Sequence, residues 1–123
     1  MTAAYFDEYE EFVMSRIKPG EAILASLTPE KAHMWHMVSG IAGEAGEVLD
    51  AVKKWAVYGK DLDVDNVIEE LGDLEFYIAG ARRYVSKSRD EILSQNMSKL
   101  SVRYKDGYSD KAAIERADKA EHA

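Results

Sequence analysis

Apolar residues in this 123-residue chain recur three or four positions apart, which is the spacing of one face of an α-helix. The sequence has no sustained alternation of apolar and polar residues, and no Asn-Gly or Asp-Gly pair joins two apolar runs as in a hairpin. The pattern predicts helices over residues 4–17, 28–58, 63–85 and 88–105, with a single helical turn over 21–27.

Residues that favour helix ends support these boundaries. Thr28 precedes a proline and is a suitable N-cap for the long second helix. Gly59 can adopt the left-handed conformation that ends this helix, and either Asp63 or Asp65 can cap the third. Ser88, with a glutamate three positions later, has the capping-box pattern that opens the fourth helix.

The predicted elements describe an all-α protein, most simply a four-helix bundle. We expect residues 1–108 to form one domain and residues 109–123 to form a polar, Ala-rich tail that is helical at most. A chain this short buries only about two thirds of the surface that its unfolded form exposes. Oligomerisation is therefore expected to complete the core.

Composition narrows the classes of function. Acidic residues outnumber basic ones 23 to 16, for a net charge of −7, and a negative surface repels the phosphate backbone of nucleic acids. The absence of cysteine excludes a disulfide framework and a thiol nucleophile. No apolar run approaches the roughly 18 residues of a membrane span, and the acidic N-terminal segment is unlike a signal peptide. We expect a cytoplasmic protein that binds neither nucleic acid nor membrane.

Four carboxylates are spaced so that two helices can bring them together. Glu44 and Glu47 lie three residues apart on the second helix, and Glu70 and Asp73 lie three apart on the third, so each pair projects from one helix face. Two helices joined by a short connection pack antiparallel, and facing pairs then converge. Carboxylates in a partly buried site require a counter-charge, and an oxygen-only ligand set favours magnesium or manganese over zinc.

Glycines accompany the acidic pairs inside the predicted helices. A glycine in a helix interior costs about 1 kcal/mol relative to alanine, so its presence there needs a reason. Here the expected reason is that a neighbouring helix or a ligand comes close. The glycines concerned are Gly40, Gly43, Gly46 and Gly72.

Polar and basic residues follow the acidic pairs at helical spacing. Lys54 lies two turns after Glu47, and Asn96, Lys99 and Arg103 share one face of the fourth helix. A basic stripe that faces carboxylates and a metal ion is typical of a polyphosphate site.

These motifs resemble those of the MazG-like superfamily of all-α nucleoside triphosphate pyrophosphohydrolases. The resemblance lies in the two acidic pairs, with 22 residues between Glu47 and Glu70, and in the segment Asn96-Met-Ser-Lys99-Leu-Ser-Val-Arg103-Tyr104. It covers roughly residues 33–108 and points to the small phage and bacterial members. It implies hydrolysis of a nucleoside triphosphate between its α- and β-phosphates, two or three magnesium ions on the carboxylates, and a homodimer or homotetramer. The expected location is the cytoplasm of a bacterium or of a phage-infected host cell.

Such a reaction suggests a role for each candidate residue. We expect Glu44 to act as the general base, with Glu47 as the alternative, and both to bind metal together with Glu70 and Asp73. The candidates for phosphate binding are Lys54, Asn96, Lys99, Arg103 and Tyr104. The candidates for nucleobase binding flank the first acidic pair and are His36, Met37, Gly40 and Trp55.

The pattern leaves alternatives open. The substrate base is not fixed, so dUTP, dCTP, dGTP, a damaged nucleotide or an alarmone would fit, and a narrower variant is a phage dGTP hydrolase supplying dGMP for altered-base synthesis. A second class is a non-enzymatic helical module that oligomerises and binds protein. A third, a di-iron bundle, needs Glu-x-x-His pairs that neither acidic pair provides. His33 and His36 alone make a poor zinc site.

Overall fold

The computed structural model describes residues 5–122, with side chains described up to residue 119. Every regular element in this range is helical, which confirms the predicted all-α class. The elements are α1 (Glu8–Met14), α2 (Gly20–Ser26), α3 (Pro29–Ala56), α4 (Val64–Val85), α5 (Arg89–Arg103), α6 (Asp110–Glu115) and the 3₁₀ helix η1 (Ala117–His122). None of the helices in this described range is long and apolar enough to cross a membrane.

The chain divides after His33 into two compact units. The first contains α1, α2 and the first turn of α3. α1 begins at Glu8, later than predicted, because the Asp7 carboxylate caps it by accepting the Glu10 amide over 2.8 Å. The predicted start at Ala4 lies outside the described residues. None of the described residues of this unit is fully buried.

The predicted cap of the long helix is confirmed. The Thr28 hydroxyl accepts a hydrogen bond from the Lys31 amide over 3.2 Å, which satisfies one of the free donors in the first turn of α3. α3 then continues without interruption to Ala56, and Gly59 follows with a φ of +69°. The left-handed conformation ends the helix, as the position of this glycine predicts.

The second unit holds the rest of α3 and all later helices. Asp63, one of the two predicted caps, accepts the Asn66 amide over 3.1 Å at the start of α4. α5 begins at the predicted capping box, in which Ser88 Oγ accepts the Glu91 amide over 3.1 Å and the Ser88 amide donates to Glu91 Oε2 over 2.7 Å. The segment after Tyr108 forms α6 and η1, which both contact α5.

Two glycine contacts fix how α3 and α4 pack. The ring of Tyr77 lies against Gly40, and the sulfur of Met37 lies against Gly80. A Cβ at Gly40 would overlap the Tyr77 ring, and one at Gly80 would overlap the Met37 sulfur. As the chain advances from 37 to 40 on α3, its contact moves back from 80 to 77 on α4, so the two helices are antiparallel.

Three further glycines in these helices have open space beside them. No described atom lies within 4 Å of a Cβ built at Gly43, Gly46 or Gly72, apart from the helix itself. The predicted close approach is therefore present at Gly40. At the other three positions, whatever explains the glycine is not part of this chain's described residues.

Little apolar surface is buried in the described chain. Met37 and Ala51, both on α3, are the buried hydrophobic residues among those described. Large apolar side chains of the second unit remain open to solvent, and Leu49, Phe76 and Met97 are 68%, 69% and 70% exposed. Exposed apolar surface on this scale marks an interaction surface in a folded protein.

The contact at Gly40 generates a stability prediction. Gly40→Ala should destabilise the protein by about 1–3 kcal/mol, because the new methyl group meets the Tyr77 ring and overpacks the contact between α3 and α4. Urea unfolding followed by circular dichroism measures the change. Gly20→Ala is the control and should not destabilise the protein, because alanine favours the helix and no described atom lies within 4 Å of a Cβ at this position. Unchanged stability in Gly40→Ala would contradict the described packing.

Candidate functional site

Three carboxylates meet where α3 faces α4. Each of Glu44, Glu70 and Asp73 contributes one oxygen to a group in which all the oxygens lie within 4.8 Å of one another. The antiparallel register explains the meeting, because continuing it by one helical turn from the contact of Gly40 with Tyr77 brings Glu44 opposite Asp73. Glu70 lies one turn before Asp73 on the same face of α4. We call these three residues the acidic group.

The acidic group is electrostatically strained. Glu44 and Glu70 are half-buried, and Glu44 Oε2 is buried without a hydrogen-bond partner in the described residues. A hydrogen bond with Glu44, together with burial and repulsion by Glu44 and Asp73, raises the pKa of Glu70 to about 7. The protonated form of Glu70 is therefore substantially populated at neutral pH.

The donor set fits a hard divalent cation. Three carboxylate oxygens within reach of one another, one of them beside an unsatisfied buried oxygen, supply the ligands and the negative charge that magnesium or manganese requires. The set contains neither histidine nor cysteine, so it does not match a structural zinc site.

Glu47, the fourth predicted carboxylate, lies outside the acidic group. It is exposed, one helical turn beyond Glu44 on α3. Helical spacing puts it on the same side of α3 as Glu44, but its oxygens do not join the three that meet. Its predicted role in metal binding and as the alternative base stays a prediction.

The predicted phosphate-binding residues are distributed over two helices. Lys54, on α3, is exposed and pairs with Asp50 over 2.8 Å, and the hydrogen bond that it donates to this carboxylate raises the pKa of the lysine. Asn96 and Lys99 are exposed on α5, and neither has an ion pair or hydrogen bond within the described side chains. These two side chains can therefore bind a ligand without breaking a contact.

Arg103 has a partner that the sequence did not indicate. Its Nε and Nη2 donate to the two carboxylate oxygens of Asp118 over 2.7 and 3.2 Å. The side chains of Arg103 and Asp118 are only 15% and 3% exposed. The bidentate hydrogen bond lowers the pKa of Asp118, as expected for a carboxylate paired with a guanidinium. The predicted tail is thus joined to α5 by a bidentate ion pair that is largely shielded from solvent. The adjacent Tyr104 is half-buried, with its ring 5.7 Å from that of Tyr108.

The predicted base-binding residues lie on two parts of α3. Met37 is buried against Gly80, and Gly40 is covered by the ring of Tyr77. His36 is exposed, with its ring 6.0 Å from that of Tyr77 in an edge-on arrangement. Trp55 is 51% exposed near the other end of the helix. Because His36 and Trp55 are the open members of the set, they are the ones available to stack on a base.

The fold and the site together define an all-α protein with a group of three carboxylates between two antiparallel helices. The profile of the family described as the MazG nucleotide pyrophosphohydrolase domain matches residues 34–108, which is more than half of the chain. The chain belongs to this family, and the match includes α4, α5 and the whole acidic group. No curated protein and no solved structure matches the chain significantly.

The raised pKa of Glu70 generates a prediction about the metal-free protein. A carboxyl group whose pKa rises from 4.5 unfolded to about 7 folded stabilises the fold below pH 4.5, and this stabilisation is lost as the pH rises through about 7. Glu70→Gln, which keeps the neutral form, should therefore raise the melting temperature relative to wild type at about pH 8 and change it little at about pH 5. Thermal unfolding in EDTA measures both differences.

The matched control for this comparison is Glu69→Gln. It removes the same charge from the neighbouring exposed position on α4. Its effect on the melting temperature should be small and similar at both pH values. An equal response of the two variants would mean that the charge of the helix, rather than the acidic group, sets the pH dependence.

Proposed function

We propose that this protein is a magnesium-dependent nucleoside triphosphate pyrophosphohydrolase, which cleaves its substrate between the α- and β-phosphates to a nucleoside monophosphate and pyrophosphate. The observation that carries the proposal is the acidic group within a chain of the MazG nucleotide pyrophosphohydrolase family. Manganese is the expected substitute for magnesium, because both ions take carboxylate oxygens.

Glu44, Glu70 and Asp73 would hold the metal ion, and Glu47 would complete a second position from the exposed side. When bound, the metal supplies positive charge to the phosphate chain and lowers the pKa of a coordinated water. The proton on Glu70 must leave before this carboxylate can act as a ligand. Glu44 is the favoured general base, since Oε2 has no other described partner, and Glu47 is the alternative.

The phosphate tail of the substrate needs cations beyond the metal. Lys99 and Asn96 meet this need directly, since both are exposed and free of described partners. Lys54 contributes after exchanging the exposed Asp50 for a phosphate, and an exposed pair of this kind is worth little. Arg103 already donates two of its five N–H groups to Asp118, and its side chain is only 15% exposed, so its part in phosphate binding carries the largest cost.

The nucleobase stays open within this proposal. His36 and Trp55 are the exposed ring systems among the predicted base-binding residues, and stacking on a ring accepts every base. The candidate substrates are therefore dUTP, dCTP, dGTP, a damaged nucleotide and an alarmone, and all should be tested for hydrolysis. The narrower variant, a phage dGTP hydrolase that supplies dGMP, predicts a strong preference for dGTP.

We also infer that the working form is a homodimer or homotetramer. The support is the exposed apolar surface of the second unit, including Leu49, Phe76 and Met97, and the open glycines Gly43 and Gly46 beside the acidic group. A second copy of the chain that covers these positions would give both observations a cause. The non-enzymatic alternative, a helical protein-binding module, explains the apolar surface but not the convergence of three carboxylates.

The proposed reaction predicts metal-dependent release of pyrophosphate. Purified protein with magnesium should convert at least one common nucleoside triphosphate to its monophosphate and pyrophosphate, and EDTA should stop the reaction. Asp73→Asn should lower turnover at least about 100-fold, which is the loss expected on removing a preorganised charge from a site. Glu69→Gln, exposed on the same helix, should retain activity.

The identity of the first product distinguishes release of pyrophosphate from release of orthophosphate. Phosphorus NMR distinguishes pyrophosphate from orthophosphate in the first turnover. Orthophosphate as the first product would contradict cleavage between the α- and β-phosphates. Full activity in Asp73→Asn would remove the acidic group from the site, and magnesium independence across the whole screen would favour the non-enzymatic module.

The inferred assembly predicts a mass of two or four chains in solution. Light scattering coupled to size exclusion should report a dimer or a tetramer at micromolar concentration. Met97→Glu, a charge on an exposed apolar position of α5, should shift the mass toward the monomer if that face is covered, because burying a lone charge is costly. A fully active monomer would contradict a site completed by a second subunit.

A further inference from the structure

A cavity lined by basic side chains lies at the turn between α4 and α5. Its volume is about 610 Å³, within the range of small-molecule sites. Its polar lining residues are Arg82, Arg83, Ser86, Lys87, Ser88 and Arg89. We propose that this basic cavity is a second anion site, which binds an oligophosphate, either as a free inorganic anion or as the phosphate chain of a nucleotide. The site does not depend on the proposed catalytic activity.

No acidic side chain lines the cavity itself, although Glu75 lines the adjoining smaller cavity and Lys87 interacts electrostatically with Glu91. Four cations fall within eight residues, with no acidic residue between them, in a chain whose net charge is −7. None of the three arginines, at 82, 83 and 89, forms a hydrogen bond or an ion pair within the part of the chain that is described. Arg82 is also half-buried, which raises the cost of leaving its guanidinium unpaired. An anion in the cavity would meet this demand.

Helix electrostatics do not explain the whole cluster. Arg82 and Arg83 lie in the last turn of α4, where the helix dipole favours a positive charge. Arg89 is the first residue of α5, where the dipole disfavours one, and Lys87 lies just before the cap. A positive charge that is unfavourable for the helix carrying it is expected at a position that function requires.

The backbone conformation of the turn also supports a binding site. Ser86 ends α4 with a φ of +55°, a left-handed conformation that glycine adopts more easily. A serine there keeps a hydroxyl group at the lining of the cavity. The capping box already uses the amides of Ser88 and Glu91, so the arginine and lysine side chains carry the binding.

The chemistry selects an oligophosphate. The planar guanidinium groups of Arg82 and Arg89 can each donate two parallel hydrogen bonds to phosphate oxygens, and three or four cations match the charge of pyrophosphate or a triphosphate chain. A long nucleic acid would extend beyond the cavity and be repelled by the acidic remainder of the protein surface. A small anion inside the cavity avoids this repulsion. Both arginines also line a smaller cavity of about 170 Å³ beside the apolar side chains of Ile78, Ile92 and Leu93. A nucleotide could place its apolar part there.

The basic cavity is separate from the acidic group. Arg82 lies nine residues beyond Asp73 on the same helix, which corresponds to about 13 Å along the axis. None of the residues that line the basic cavity belongs to the acidic group, and Glu75, between the two on α4, lines the smaller cavity with Arg82. Occupation of one site therefore does not require the other.

Binding is tested on the full chain without turnover. Isothermal titration calorimetry with pyrophosphate, tripolyphosphate and a nucleoside triphosphate is run in EDTA at low salt, where the metal-free acidic group repels anions. We expect saturable binding of one anion per chain. Arg82→Gln combined with Arg89→Gln should weaken it at least about tenfold, because two bidentate partners are lost. Tighter binding of the nucleotide than of tripolyphosphate identifies a nucleotide as the ligand, and equal binding identifies the free phosphate chain.

Matched variants decide whether the cavity is the cause. Lys18→Gln combined with Lys60→Gln removes the same charge from exposed positions elsewhere and should change affinity less than about twofold. An equal loss in this control would mean nonspecific charge attraction and overturn the proposal. An equal loss in Lys99→Gln would assign the anion to the predicted phosphate site on α5 and would overturn it as well.

Binding of duplex DNA and the folding of the double variant are tested as well. Duplex DNA that binds more tightly than tripolyphosphate, and loses affinity in the double arginine variant, would make the surface a nucleic-acid site and overturn the proposal. Circular dichroism checks that the double variant folds. If it does not fold, the single changes Lys87→Gln and Arg89→Gln at exposed positions repeat the comparison. Each should then weaken binding at least about threefold, and unchanged affinity in both would overturn the proposal.

Discussion

The structure depends on holding three like charges together between α3 and α4. Carboxylates whose oxygens lie within 4.8 Å repel one another, so packing elsewhere must keep the two helices at this distance. The Tyr77 ring on Gly40 and the Met37 sulfur on Gly80 supply that packing. The residual cost appears as the raised pKa of Glu70, which follows from its hydrogen bond with Glu44, from burial and from repulsion by Glu44 and Asp73.

The same helices leave much of their remaining surface unpaired. Met37 and Ala51 are the buried hydrophobic residues in the described part of the chain, and Gly43, Gly46 and Gly72 face open space. A core this small offsets little conformational entropy. The proposed oligomer would bury exposed apolar surface and cover the open glycines beside the acidic group.

The local features of the fold could be predicted from the sequence because they depend on neighbouring residues. The caps at Thr28 and Ser88 follow from side chains that bond amides three residues away, and the spacing of three between Glu70 and Asp73 follows from the helix itself. The glycine pattern was informative only in part, since one of the four predicted positions meets a close neighbour and the equally close Gly80 was not among them.

Features that depend on distant residues were beyond the sequence pattern. The ion pair between Arg103 and Asp118 spans 15 residues and gives a predicted phosphate ligand an internal partner. The exclusion of Glu47 from the acidic group depends on side-chain directions across the helix interface, which spacing alone does not fix. The basic cavity had a sequence signal, four cations in eight residues, but it crosses a turn and so has no helical period to mark it.

Charge is sorted along α4 in a way that links the two sites. Asp65 lies in its first turn and Arg82 and Arg83 in its last, both in the sense that the helix dipole favours. One rigid helix can therefore carry part of an acidic site in its first half and part of a basic cavity at its end. The first attracts cations and the second attracts anions, and their separation is set by the helix rise. The proposed reaction consumes one polyanion and releases another. A helix that contributes to both sites can hold a metal ion at the acidic group and a phosphate chain at the basic cavity, and neither ligand neutralises the other site.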